Sequence, residues 1–145
     1  MAIVKNINKL RQKAIPVAAD NISAAMSRLI SRTIFIRKGA VGFAGSQVGL
    51  REHVFCALIA GKWRFFANAV VKRKSWRKTK EYEGCLSFPK KEFLVKRHNK
   101  IKIKYQNAQG EFMTEEFTGY EARVVQHELD HLNGILVCDK KWKIN

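Results

Sequence analysis

The chain has 145 residues, 46% of them apolar and only two of them proline, which is the profile of a folded domain with one core and excludes a disordered polymer. Twenty-eight Lys and Arg against twelve Asp and Glu give a formal charge of +16 and a pI near 10.1, a field that attracts polyanions such as nucleic acid, the ribosome or an acidic membrane. No run of about 18 apolar residues offers a membrane span, and three cysteines (Cys56, Cys85, Cys138) are too few and too odd for a disulfide scaffold, so a reducing cytosol is expected.

The first 38 residues are basic, with Asp20 their only carboxylate. Organelle transit peptides share that composition. Here, however, Ile22, Met26, Leu29 and Ile30 recur at helical spacing after Pro16, so the segment is read as folded, with a helix from about Val17 to Ile36. A glycine-punctuated loop, VGFAGSQVGL, follows. His53–Ile59 and Trp63–Ala67, joined by Ala60-Gly61, read as a β-hairpin. Next comes KRKSWRKTK, Lys72 to Lys80, in which six of nine residues are basic. IKIKY (Ile101–Tyr105) alternates strictly, and Glu111–Phe117 follows a turn at Asn107–Gly110; both are predicted antiparallel strands with one buried face.

The last predicted element is a helix with both ends marked. Thr118 and Glu121 have the spacing of a capping box, and Asn133-Gly134 supplies a stop. At 100° per residue, Tyr120, Val124, His127 and His131 share one face, and Val125, Leu129 and Leu132 share another. Only Arg123, Gln126 and Asp130 remain for solvent, so the helix is expected to be nearly surrounded by protein. No repeat, low-complexity segment or linker interrupts the chain.

The strongest chemical signal lies on that helix. HELDH, residues 127 to 131, puts two histidines at i and i+4, a spacing that suits one metal ion, with Glu128 one step round. A pair of satisfied core histidines would give the same pattern, but two buried imidazoles and a carboxylate need partners. A hydrolytic centre needs a third protein ligand and an open position. The HExxHxxGxxH solution fails, because Val137 stands where its third histidine would be. His53 and His98 carry no spacing signal. Cys85 is the remaining soft donor of note, in EGCLSFP, where Gly84 lets the backbone come close. Cys56 and Cys138 read as small buried or peripheral residues.

Taken together, GFAGSQ (Gly42–Gln47), EGCLS (Glu83–Ser87) and HELDH resemble the three motifs of peptide deformylases, in that order, and LRQKAIPV and HLNGIL extend the resemblance over nearly the whole chain. The resemblance implies an α+β fold of antiparallel sheets packed around a central metal-binding helix, with an N-terminal helix, as one domain over residues 1–145. It implies that Cys85, His127 and His131 bind one divalent ion, Fe²⁺ by preference with Zn²⁺ or Ni²⁺ as alternatives. Metal-bound hydroxide would then attack the formyl carbon of an N-terminal formyl-methionine. Glu128 would be general base and acid. The Gln47 amide and the Leu86 backbone N–H would stabilise the oxyanion, one such donor being worth about 3 kcal/mol. Val41, Gly42, Gly84, Tyr120 and Val124 would line the methionine pocket.

Ala40, Phe43, Gly45 and Glu92 depart from the family's usual residues, but no ligand, base or oxyanion donor is lost. With 14 residues after His131, the chain reads as a short form without a long C-terminal helix. Formyl-methionyl nascent peptides are the implied partners, and a monomer in bacterial or bacterial-host cytosol the implied setting. Lys72, Arg73, Lys74, Arg77, Lys78 and Lys80, with Trp76, offer a surface for ribosomal RNA. A zinc peptidase using HExxH is the nearest rival. A basic RNA-binding module with a structural metal is another, although structural zinc sites normally close with four protein ligands.

Overall fold

In the computed structural model, which describes residues 3–142, the elements in chain order are α1 (Ile7–Leu10), α2 (Ile22–Thr33), β1 (Gly42–Ala44), β2 (Val54–Ile59), β3 (Lys62–Lys74), β4 (Lys78–Cys85), β5 (Phe88–His98), β6 (Lys100–Gln106), β7 (Phe112–Thr118) and α3 (Gly119–Leu132). Five strands form an antiparallel sheet in the order β1-β2-β3-β6-β7, and β4 pairs with β5 in a separate two-stranded sheet. The α+β antiparallel architecture expected from the sequence is the one observed. No helix among the described residues is long and apolar enough to cross a membrane.

β2 explains how the layers are arranged. Its sequence, VFCALI, is apolar at every position, and a strand of that kind is covered on both faces. Phe55, Ala57 and Ile59 pack with Phe66, Tyr105 and Phe117 beneath α3. Val54 and Cys56 point the other way, onto Ile22, Met26 and Leu29 of α2. Phe66 stacks on Phe55 at 4.7 Å and meets the edges of Tyr105 and Phe117 at 4.7 and 5.9 Å. Burying each such ring contributes roughly 1.5–3 kcal/mol. The two-residue turn Ala60-Gly61 has positive φ at both positions, the type I′ form that suits a twisted hairpin.

Several local expectations are corrected. The N-terminal helix begins at Ile22, behind a short 3-10 turn at Ala19–Asn21, and ends at Thr33. Val17 is held out of it because Asn68 bonds both its N–H (2.8 Å) and its carbonyl (2.7 Å). Beyond Thr33 the guanidinium of Arg37 folds back onto the Thr33 hydroxyl. Thr118 makes no side-chain cap to α3, and Glu121 instead accepts the Ala60 N–H at 2.7 Å. The stop at the other end forms as read. Ile135 N–H bonds the Asp130 carbonyl and Gly134 N–H that of His131, with Gly134 at φ +72°, a Schellman motif.

Candidate active site

α3 carries His127 and His131 one turn apart, their ring centroids 5.0 Å from each other. Cys85 is the last residue of β4, where the β4–β5 register shifts between Gly84 and Cys85; bulges of this kind re-aim side chains. Its Sγ lies 3.3 Å from His131 Nε2, and donor atoms of Cys85, His127 and His131 all fall within 4.8 Å of one another. Sulfur plus two imidazoles is a set that holds Zn²⁺ or Fe²⁺. Cys56 is fully buried in the core below α2 and Cys138 lies near the tail, outside this group.

Behind the triad stands a cluster of charges. Glu83 is 7% exposed and accepts hydrogen bonds from His127 Nδ1 (2.9 Å), from Arg97 through Nε and Nη2 (2.9 Å each) and from Arg123 Nη1 (2.5 Å). Arg97 also pairs with Asp130. Fixing His127 by its Nδ1 leaves Nε2 for the triad, the usual way a ligating imidazole is oriented. Arg123 and Gln126, assigned to solvent by the helical wheel, are buried. β5 covers them, with Arg123 bonding the Val95 carbonyl and Gln126 both the N–H and the carbonyl of His98.

The electrostatics follow from this packing. Burial pushes the Glu128 carboxyl up to about 7, against the pull of His127 and Arg97. Burial also drives His131 down to about 3, helped by the neighbouring His127. For His127 burial disfavours the imidazolium, but Cys85, Glu83 and Glu128 outweigh it and raise the group to about 10. Burial would likewise raise Glu83, yet the His127 and Arg97 contacts hold it well below the carboxylate range. Three donors converging on one point are a set that a divalent cation satisfies. Among the described residues, buried Glu128 Oε2 and His131 Nδ1 have no hydrogen-bond partner. A fully enclosed carboxylate oxygen left unpaired beside three soft donors fits a site built around a cation.

The rest of the site encloses a cavity of about 800 Å³. Gln47 is 2% exposed; its Oε1 accepts the Ala44 N–H at 3.0 Å, which turns its NH₂ toward Cys85 Sγ (3.4 Å) and Ser87 Oγ (3.3 Å). Leu86 lies in the two-residue turn between β4 and β5 and is exposed to the cavity. Val41, Gly42, Gly84, Tyr120 and Val124 all line it as well. Gly42 packs flat against the carboxylate: a Cβ there would meet Glu128 Oε1 at 2.9 Å. The structure thus gathers every residue singled out for the site. It adds Glu83, Arg97, Arg123 and Ser87, of which only Glu83 and Ser87 had a motif to mark them.

The comparisons with known proteins agree with this geometry. The family model for polypeptide deformylase matches residues 2–144. A peptide deformylase of Thermotoga sp. (strain RQ2) is 39% identical over 133 residues, covering 90% of this chain and 80% of that protein. The crystal structure of peptide deformylase from Thermotoga maritima superposes with a TM-score of 0.89 at 34% identity, over 99% of this chain and 97% of the other. A class I type b peptide deformylase from Acinetobacter baumannii, solved with Met-Ala-Ser bound, gives 0.85 at 28% identity, over 96% and 95%.

Proposed function

The chain belongs to the peptide deformylase family of enzymes, and from that premise we propose that it removes the formyl group from the N-terminal formyl-methionine of nascent polypeptides. The observation that carries the reading is the meeting of Cys85, His127 and His131 with an unpartnered Glu128 at the floor of one cavity. The Acinetobacter relative was solved with Met-Ala-Ser bound, which supports a peptide that begins with methionine here.

Cys85, His127 and His131 would hold one divalent ion, Fe²⁺ by preference with Zn²⁺ or Ni²⁺ as alternatives. That ion supplies Lewis acidity and brings the pKa of water toward neutrality. Glu128, packed against Gly42 and free at Oε2, takes a proton from the attacking water and passes it to the leaving nitrogen. Gln47, its amide orientation set by Ala44, donates from Nε2 to the oxygen of the formyl group as charge develops there, and the Leu86 N–H donates from the neighbouring turn. Glu83 keeps the His127 ring in place. Val41, Gly84, Tyr120 and Val124 shape the apolar wall for the methionine side chain and exclude water from the reacting bond. We place this activity in one domain over residues 1–145, acting as a monomer in the cytoplasm where nascent chains emerge.

The test is formate release from formyl-Met-Ala-Ser by the purified protein, with metal content measured in parallel for Cys85→Ser, Cys56→Ser and Cys138→Ser. Deformylation is expected, with stoichiometric metal in all but the Cys85 variant. Cleavage of internal peptide bonds without formate release would favour the HExxH peptidase. Equal metal loss in the Cys56 variant would point to a different third ligand.

A further inference from the structure

The strongest feature outside the site is the corner where β3 passes into β4. Trp76, at its tip, is 92% exposed, yet the backbone on both sides is pinned. Ser75 N–H bonds the Lys100 carbonyl (2.9 Å), Asn99 N–H bonds the Arg77 carbonyl (3.0 Å), and the Ser75 hydroxyl donates to the Arg77 carbonyl (2.8 Å). The Ser75 carbonyl in turn accepts from His98 Nδ1 at 2.7 Å. A large indole is therefore held out in water by a rigid turn.

Exposed cations of β3, β4 and β5 continue along the strands from it. His98, just below the turn, stands opposite Lys78 across the β4–β5 ladder, and burial together with the charges of Lys78, Lys74 and Lys140 holds it beneath its ordinary value. Two residues further along the pair, Lys80 and Lys96 sit opposite each other and both reach the ring of Trp142, at 4.5 and 4.9 Å. Arg73 stands opposite Lys102. Like charges directly across a ladder work against the sheet. Among the described residues none of Lys72, Arg73, Lys74, Arg77, Lys78, Lys80 and Lys96 has an ion-pair partner.

We propose that this face, from Trp76 along the outer side of β4 and β5 to Trp142, binds RNA with unpaired bases. The lysines take phosphates, and Trp76 stacks on a base. Cations interleaved with a presented ring match alternating phosphate and base. An acidic protein has no need of the ring, and membrane insertion would require apolar neighbours where Trp76 has Ser75 and Arg77. The face carries its inference from charge and geometry alone, independently of the deformylase reading.

Binding of a fluorescein-labelled, unstructured 12-nucleotide RNA, followed by anisotropy, tests it without reference to activity. With about five phosphates engaged, wild-type affinity should fall about 100-fold between 50 and 200 mM salt. In Lys74→Ala/Lys78→Ala/Lys80→Ala/Lys96→Ala the same salt step should cost only about three-fold. Trp76→Ala should lose about ten-fold at constant salt with the salt dependence unchanged, as expected for a lost stacking partner. A control variant, Lys5→Ala/Lys9→Ala/Lys13→Ala, should stay within about two-fold of wild type if the face, and not the net charge, does the binding. Circular dichroism checks that each variant is folded. Ribosomes displacing the label more efficiently than free transcript identify ribosomal RNA as the source, and the reverse order identifies free RNA. The proposal is overturned if Trp76→Ala binds as wild type, if the control variant loses as much as the quadruple one, or if anionic phosphatidylglycerol vesicles bind as tightly as RNA.

Discussion

The charges beneath α3 and the charges at the β3–β4 corner are the same kinds of side chain under opposite conditions. Beneath α3, Glu83, Arg97 and Arg123 are each less than 10% exposed, and every one is bonded to another. At the corner the cations are exposed, unpaired and in places set against each other. Burial makes an unpaired charge unaffordable, so the inner set is tied down and can orient a reactive imidazole. Water and salt make the outer set cheap, so it is free to meet something outside the molecule.

Glu128 is the exception inside, and it gives the largest expected effect. It is buried with one oxygen unpartnered, so its removal should relieve the fold while destroying the chemistry. Glu128→Ala is expected to lose about 10³-fold or more in kcat on formyl-Met-Ala-Ser. Metal stoichiometry should be unchanged and thermal stability equal or higher. Near-wild-type turnover, or metal lost along with activity, would show that the role of Glu128 is structural.

Glu83 is the opposite case, and Glu83→Gln keeps its shape while removing its charge. Arg97 and Arg123 are then left buried with less compensation, which should cost about 3 kcal/mol, or a melting temperature lower by about 10 °C. Metal affinity should fall about ten-fold or more as His127 loses its anchor. A variant as stable as wild type would mean that the inner charges are no more committed than the outer ones.

How much of this was legible in the sequence follows the same division. α3 and β6 have apolar residues at a clean period, and β2 is an unbroken apolar run; with β7 they form where the sequence put them, although β3 runs seven residues past its expected end at Ala67. The β4–β5 pair was not anticipated. Its inward positions include Glu83 and Arg97, so the alternation that marks a half-buried strand is broken by the charges that do its structural work. Missing that sheet made the face of α3 it covers look like solvent, which is why Arg123 and Gln126 were misassigned. Thr118 and Glu121 had the capping-box spacing, but a tertiary partner, the Ala60 N–H, took Glu121. The site residues were legible because ligand and base spacing lies within short motifs. Glu83, which holds His127, lies in one of those motifs, but the Arg97 that fixes Glu83 comes from β5, 14 residues further along the chain.

One ion pair on the five-stranded sheet lies between the two extremes. Arg64 and Glu115 are half-buried, Arg64 donating to both carboxylate oxygens at 2.7 Å, and the buried Tyr105 donates its OH to the same carboxylate at 2.9 Å. The hydrogen bonds from Arg64 hold Glu115 below its ordinary value of 4.5. A carboxyl lowered in the folded state contributes stability above its unfolded pKa and loses it as pH falls through the folded one. Glu115→Gln should therefore be less stable than wild type by under about 1 kcal/mol between pH 5 and 8. The gap should close below about pH 4.5 in urea titrations. A gap that persists undiminished under acid conditions would assign the contribution to packing and not to charge.

The smallest effect tests the outer set on its own terms. Arg73 is exposed and faces Lys102 directly across the ladder, with Glu116 one strand further on. If no structural partner holds Arg73, Arg73→Glu replaces a like-charge pair by an opposite one and reduces the repulsion of a chain at +16. That change should raise stability by about 0.5 kcal/mol at low salt. The gain should fade above roughly 0.5 M salt, where the screening length is only a few ångströms. It is a charge reversal that stabilises a protein, at a position where the inner set would tolerate none. Destabilisation by more than about 0.5 kcal/mol would show instead that Arg73 is engaged within the fold, and the line drawn between the two groups of charges would have to move.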